Sequence, residues 1–401
     1  LAYDDIIVGS GLSGLATALG LAPERRVLVL TEAEPGHVRY YDRRSNVPSA
    51  VRGPGGLGNF WHGVISFAAR ASFAQGHESS FAELFHNFYP TVSARGRQGS
   101  DWLFVPRRPI RPAACWPRLV ADRQGRLELH PLTASRFAMS DIGVTVQAGD
   151  DRISASRLWI CAGALDTPAL LARSLGEGSF GFRGTASDHV IAYLGQVDRR
   201  QHRTVQQPQV ERVAGGYWLK ALPQSTSDCL VTTKPAQFSY RRLDHGIEQR
   251  AAFGLPVGGA VGKILRSGSL GLLSEAAFNK LGIFATSPVL SVYGQISAPA
   301  AHALDLMSGA LTLDETAVRR QIAATRAALT MPELTPSQRP DLFIRGIHLH
   351  DTLDAAGLTS AGVNTAGSPV RVQDASTISS IGGEHHSFHM MAAAFTAARQ
   401  A

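Results

Sequence analysis

The apolar positions change period within the opening segment. Ile6, Ile7 and Val8 form a short apolar run of the kind that fills a buried parallel strand, and Leu15 to Leu21 then follow a helix-forming pattern. A second apolar run, 26-RVLVL-30, comes next, giving the order strand, turn, helix, strand. Farther on, Val144 and Val146 alternate with polar residues, Gly149-Asp150-Asp151 marks a turn, and Leu158, Trp159 and Ile160 run into 161-CAGA-164. Pro168 then falls in the first turn of a predicted helix, a favoured place. From about residue 190 to 300 strands and turns dominate: 189-HVIAYLGQV-197, 216-GYWLKAL-222, 228-DCLVTT-233 and 288-PVLSVYGQI-296 predict an antiparallel sheet. Residues 314-DETAVRRQIAATRAAL-329 predict a helix capped by Asp314, with Val318, Ile322 and Leu329 on one face and the small Thr325 between the last two. Pro332, Pro336 and Pro340 mark a linker beyond it.

Composition bounds the function classes. A chain of 401 residues with 44% hydrophobic and 18% charged residues suits two domains, or one with an insertion, around an ample core. The net charge of +7 comes from scattered arginines such as Arg25-Arg26, Arg107-Arg108 and Arg241-Arg242. There is no basic run interleaved with aromatics, so nucleic acid is not an expected partner, and the charge reads as a solvated surface with a mild bias toward anions. Three widely spaced cysteines, Cys115, Cys161 and Cys229, form no CxxC and imply no disulfide, which suits a cytoplasmic location. The sequence enters a strand pattern almost at once, so no signal segment is expected in it, and no apolar run is long enough for a transmembrane segment. The Gly-rich apolar stretch 254–286 reads as short core helices and turns, or as a surface that lines an apolar pocket or touches an apolar partner or a membrane surface.

The first turn carries chemistry. Gly9, Gly11 and Gly14, with Ser10, Leu12 and Ser13 between them, match G-x-G-x-x-G between a strand and a helix. Gly9 permits the tight turn, Gly11 lets backbone approach a pyrophosphate, and Gly14 lets helix and strand pack closely. The phosphates would meet free N–H groups at the helix N-terminus. The acid that bonds the ribose should close the second strand; Thr31 stands there and Glu32 comes next, so Glu32 is the candidate. A second Gly-rich loop, 51-VRGPGGLGNFWHGV-64, is either a plain turn or a lid across the dinucleotide.

Residues 163-GALDTPALLARS-174 resemble the second signature of the glucose–methanol–choline flavin oxidoreductases, matching at Gly163, Ala164, Thr167, Pro168, Leu170, Leu171 and Ser174, with Leu175 where a Gly usually follows. The segment 370-VRVQDASTISSIGGEHHSFHMMAAAFTAAR-399 resembles that family's closing strand, Asp374-Ala375-Ser376 turn and last helix. Asp188-His189 also fits a family element leading into the substrate domain. Residues 53-GPGGLGNFWHGV-64 resemble the loop beneath the flavin, with Leu57-Gly58 at the usual Ser pair and a tryptophan as in the pyranose-oxidising branch. That branch can attach flavin through a His where this chain has Phe60, so the resemblance implies FAD held without a covalent bond. It implies an α/β fold: a Rossmann-like FAD-binding domain, discontinuous over 1–190 and 341–401, with a reduced antiparallel-sheet substrate domain, 191–340, inserted. Gly9, Gly11, Leu12, Ser13, Gly14, Glu32, Gly56, Asn59, Asp374, Ala375, His385 and Phe388 are then the expected cofactor contacts. Trp61, His62 and His350 are expected to face substrate.

The chain has 14 histidines, and five crowd into 348-HLHDT-352 and 384-EHHSFHMM-391. An enzyme that takes hydride from an alcohol needs a base for the hydroxyl proton, which a neutral imidazole supplies. The family pattern His-x-x-Gly-Thr matches His348 and Thr352, with Asp351 in place of Gly, and its downstream partner falls on His386. The resemblance implies His348 and His386 as the catalytic pair, with His386 as base, and His350 shares a strand face with His348. His389 lies in the first turn of the last helix, for which Ser387 is the expected N-cap. The substrate class is an alcohol, small or carrier-bound, such as a sugar unit or bulky biosynthetic intermediate. Three alternatives stay open: a lyase on the same flavin fold, an accessory protein that has lost turnover, or a metal enzyme using these histidines with Glu384. With the flavin reading no metal is expected.

Overall fold

The computed structural model describes residues 2–32, 38–39, 49–61, 63–68, 72–198, 210–222, 225–235, 289–331, 334–336, 343–346 and 348–401. The stretch 254–286 and His62 lie outside the described residues. The first strand, β1 (Tyr3–Val8), leads through Gly9-Ser10-Gly11 into α1 (Leu12–Gly20), and the chain returns as β2 (Val27–Leu30). β1 lies between β2 and the strand Asp151–Ile160, parallel to both, and Leu127–His130 extends the sheet beside β2. The predicted hairpin forms: Gly143–Ala148 pairs antiparallel with residues 151–155, and Ala134–Ser140 adds beyond it. Ile6, Leu28, Leu158 and Ile160 face one core, Ile7, Val27, Val29 and Trp159 the other. A sheet covered on both faces needs apolar residues at every position, hence runs rather than alternation.

After the helix Asp166–Leu175 the chain leaves this sheet, and among the described residues it returns at Val370–Val372, parallel to residues 158–160. The intervening chain builds an antiparallel sheet around Thr185–Asp198 and Val289–Leu304. Val190, Ala192 and Leu194 with Val292 and Ile296 form a core beneath the helix Glu315–Ala328, which supplies Val318 and Ile322. Asp314 caps that helix as predicted, accepting from Ala317 N at 2.9 Å, a bond contributing about 1 kcal/mol. The expected boundary between 190 and 191 falls inside the strand Thr185–Asp198.

Two sequence expectations change. The strand that begins near residue 288 does not stop at Ile296 but continues to Leu304 through Pro299. Pro299 cannot donate to the ladder, and the register jumps from Asp188↔Ala298 to Ala186↔His302. Within this bulge Ser187 Oγ accepts from Ala300 N at 2.8 Å. The last helix spans Ser387–Arg399, so Ser387 is its first helical residue; the N-cap is His386, with no side-chain cap bond. The described cysteines are all free.

Candidate functional site

The turn after β1 is shaped by two glycines with opposite constraints. Gly9 has φ +105°, and a Cβ there would lie 2.2 Å from the Cys161 carbonyl oxygen. Gly11 is different: a Cβ would meet only the Gly55 oxygen, at 3.9 Å. The space over Gly11, at an α1 N-terminus without a side-chain cap, is therefore open to a ligand. The second Gly-rich loop lies on the first, since Gly55 N donates to Ser10 Oγ at 2.9 Å. Ser10 Oγ also bonds Thr31 Oγ1 at 2.7 Å, and Trp116 Nε1 donates to Ser10 O at 2.8 Å. Thr31 is thereby turned into the loop, whereas Glu32 stays partly exposed, 3.9 Å from Arg52 Nη1. Asn59 is used internally: its Nδ2 donates to Pro54 O at 2.7 Å and its Oδ1 accepts from Ala113 N at 3.2 Å. Gly56 has φ +48°, and a Cβ there would meet the Val51 carbonyl oxygen at an ordinary 3.6 Å. Leu12 and Ser13 are buried, so only their backbone can serve a cofactor.

The signature segment and the closing turn are tied by Asp374. Its Oδ2 accepts from Gly163 N at 2.9 Å and Thr167 Oγ1 at 2.6 Å, and its Oδ1 accepts from Ser376 N and Oγ at 2.9 and 2.5 Å. Four donors occupy both oxygens, so the side chain braces the turn beside Ala375. Burial pushes this carboxyl upward in pKa, and those same bonds oppose it. The segment 350–353 joins the assembly: Thr352 Oγ1 donates to Ala164 O at 2.9 Å, and Asp351, Thr352 and Leu353 N–H groups donate to Ala375 and Ser376 carbonyls. Asp351 has φ +59°, the left-handed conformation that explains Gly at this place in the family pattern. Asp tolerates it better than most residues, and here its carboxylate lies 3.2 Å from Arg183 Nε.

The two histidine clusters meet. The rings of His348 and His386 are 4.9 Å apart, near perpendicular, and His350 lies 6.4 Å from His386. A further imidazole, not expected in the site, joins them: His189 stands 4.5 Å from His348 and 6.3 Å from His386. Its ring lies so close to Gly346 that a Cβ there would be 2.2 Å from His189 Cδ2. His350 Nδ1 lies 3.0 Å from the His348 carbonyl oxygen, which accepts only from a protonated Nδ1 and leaves Nε2 with its lone pair. The turn before the last helix is clamped to the antiparallel sheet by Gly383 N to Ser227 O and Gln295 Nε2 to Gly383 O, both at 2.9 Å. Burial, then the neighbouring imidazoles, pushes His189 and His386 well below the ordinary histidine pKa, and burial also lowers His350. The Nδ1 atoms of His189 and His386 are buried without a hydrogen-bond partner among the described residues. A cluster of neutral imidazoles with an unused ring nitrogen, beside an uncapped helix N-terminus, can accept a proton and favour negative charge opposite it.

Other expected residues sit elsewhere. His389 Nε2 lies 3.0 Å from Ser66 O and the ring is 4.7 Å from Phe81; burial lowers its pKa to about 4. It is a core histidine. Phe388 is fully buried against Phe81, 4.9 Å away, so its ring is committed to the core and only its backbone N–H is at the helix end. Trp61 is also buried in that core, its carbonyl accepting from Arg111 Nη1. His385 is half-buried. Among the described residues no group of three or more His, Cys, Asp or Glu is arranged to hold a metal ion, and no helix is long and apolar enough to cross a membrane.

No family model and no curated protein matches the chain. Solved structures do. Pyridoxine 4-oxidase from Mesorbium loti is similar over 99% of this chain and 99% of its own, with TM-score 0.52 and 14% identity. A fungal aryl-alcohol oxidase is similar over 99% and 98%, with TM-score 0.51 and 13% identity. An FAD-dependent oxidoreductase from Chaetomium thermophilum is similar over 99% and 98%, with TM-score 0.53 and 13% identity. The fold is that of the glucose–methanol–choline flavin oxidoreductases. Identities this low establish the fold alone, and chemistry has to be argued from the site.

Proposed function

We propose that the protein is an FAD-dependent oxidoreductase of the glucose–methanol–choline type that oxidises an alcohol CH–OH group. The observation that carries the reading is the cluster of His348, His386, His350 and His189, in which burial lowers the pKa of His189, His350 and His386 and the buried Nδ1 atoms of His189 and His386 have no hydrogen-bond partner among the described residues. Bound FAD supplies the hydride acceptor. The open face of Gly11 and the α1 N-terminus hold the pyrophosphate, Glu32 the ribose, and Gly56, Ala375 and the backbone at His385 to Phe388 the rest; Phe60 leaves attachment non-covalent. One imidazole of the His348–His386 pair takes the hydroxyl proton and the other orients the alcohol oxygen. We assign the proton to His348 rather than His386, because the Asp188 carboxylate, which accepts from the backbone N–H of His348 at 2.7 Å, places a negative charge on the His348 side, whereas His386 is surrounded by imidazoles. His350 Nε2, as an acceptor, faces the substrate. The protein divides into an FAD domain, 1–190 with 341–401, and a substrate domain, 191–340. The substrate is a bulky alcohol, a sugar unit or carrier-bound intermediate. Support for the pyranose-oxidising likeness rests on the loop containing Trp61 alone.

The test is to purify the protein, measure bound FAD, and add a panel of alcohols without oxygen. Bound flavin that bleaches best with a bulky alcohol is expected. Best turnover of a short primary alcohol would overturn the substrate class, and a flavin that never bleaches would favour a lyase or accessory role.

A further inference from the structure

Behind the histidines lies a carboxylate that proton transfer does not itself require. Asp188 is fully buried. Its Oδ1 accepts two backbone N–H groups, from His189 at 2.8 Å and from His348 at 2.7 Å, and its Oδ2 lies 3.5 Å from His302 Nε2. Three segments distant in sequence thus converge on one side chain: the strand Thr185–Asp198, the strand Val289–Leu304 and the segment that begins at His348. The bulge at Pro299–Ala301 is what brings Asp188 and His302 together, since it shifts the register between Ala186 and Asp188. Burial pushes this carboxyl up, but the bond and charge of His302 and the His348 N–H outweigh it and keep it below the usual carboxylate range.

Two backbone N–H groups could be held equally well by an amide oxygen. An anion in this place adds a field that acts on the His348 imidazole as well as on His302. The titratable and charged groups on the elements packed around His348 are Asp188 and His189 on one strand, His302 on the next, His350 and Asp351 on its own segment, and Glu384, His385 and His386 on the turn before the last helix. Asp351 is already engaged by Arg183 and by Ser187 Oγ.

We infer that Asp188, backed by His302, is a positioning residue for His348: its carboxylate fixes where that imidazole stands, and its negative charge favours the imidazolium formed when His348 takes a proton. The inference rests on the alcohol-oxidising reading for its catalytic consequence but not for its physical content. An anion beside an imidazole raises that imidazole's pKa, so removing the charge lowers it.

The test compares Asp188→Asn, which keeps an oxygen for both N–H groups, with Asp188→Ala, which keeps neither, in the FAD-bound protein. One readout is the titration of the His348 ring by NMR on protein labelled with nitrogen-15 histidine, assigned with His348→Gln. The other is the pH profile of anaerobic FAD reduction by an alcohol. In Asp188→Asn the His348 titration and the acid limb of the profile are both expected to move down by about one pH unit, with FAD retained. The maximal reduction rate falls by roughly tenfold. Asp188→Ala should add a loss of thermal stability. Superposition of the Asn variant on the unmodified protein in both readouts overturns the inference, as does a His348 ring that stays neutral in both forms throughout. If no alcohol reduces the FAD, the alcohol-oxidising reading fails while the NMR titration still decides the role of Asp188.

Discussion

At the nucleotide end, the groups that shape the loop come from one short stretch and its immediate neighbours: Gly9 against Cys161, Ser10 against Thr31 and Gly55, Trp116 on the Ser10 carbonyl. At the histidine end, four imidazoles arrive from three segments, His189, His348 with His350, and His386, and a fourth segment backs them through His302. The first end is backbone chemistry, in which a single added methyl group collides with main chain. The second is side-chain chemistry on backbone that other bonds already hold. A change at Gly9 should therefore destroy structure, and one at the second end should remove function with structure left standing.

The largest effect is expected at Gly9. In Gly9→Ala a Cβ would meet the Cys161 carbonyl oxygen at 2.2 Å while φ stays at +105°. Strain and overpacking together should cost about 3–5 kcal/mol, read as a lower melting temperature and loss of bound FAD. Gly11→Ala sharpens the contrast, since its Cβ has space: stability should change by less than about 1 kcal/mol while FAD affinity falls. Equal stability losses in the two variants would break the distinction between a glycine needed by the fold and one needed by the ligand.

Next comes pH. His389 is held neutral in the core with its pKa lowered to about 4. The unfolded chain takes up that proton near the ordinary histidine pKa of about 6.5, so it binds more protons than the folded protein in between. Stability should be full above that value and fall as pH drops toward 4, by roughly 3 kcal/mol from this residue. His189, His350 and His386, lowered in the same direction, steepen the same limb. Urea unfolding across this window should show the fall, and His389→Gln should flatten it without touching FAD reduction. A flat profile in the unmodified protein would contradict the neutral assignment.

The smallest effect is expected at Asp351. Glycine suits φ +59°, but Asp351→Gly gives up the contacts with Arg183 and Ser187 and gains unfolded-chain entropy. These terms oppose, so the net change in unfolding free energy should stay within about 1 kcal/mol, with His348 and Thr352 undisturbed. Asp351→Val, β-branched and ill suited to positive φ, should cost distinctly more.

The same contrast explains what could be read from the sequence. The Gly-rich turn, the hairpin 143–160 and the helix after Asp314 were legible because each is specified by neighbours in the chain. The meeting of His348 with His386 was legible through family resemblance, and spacing alone would not have supplied it. His189, Asp188 and His302 were not gathered into the site, because only antiparallel pairing through a bulge at a proline brings them there. The one sequence signal was 187-SDH-189, a polar run in the middle of a strand pattern, where a buried acid needs a reason. Phe388 and Trp61 stand in functional-looking runs but turn their side chains into the core, where His389 joins them. Ser387 missed the N-cap by one residue, the usual uncertainty of a helix end.

The most direct measurement is the anaerobic rate of FAD reduction by the best alcohol in the unmodified protein, His348→Ala and His386→Ala, each with its FAD content determined. The account expects FAD to stay bound in all three and reduction to slow by about 10²–10⁴-fold in both variants, with the greater loss in His348→Ala. Full-rate reduction in both variants would contradict it.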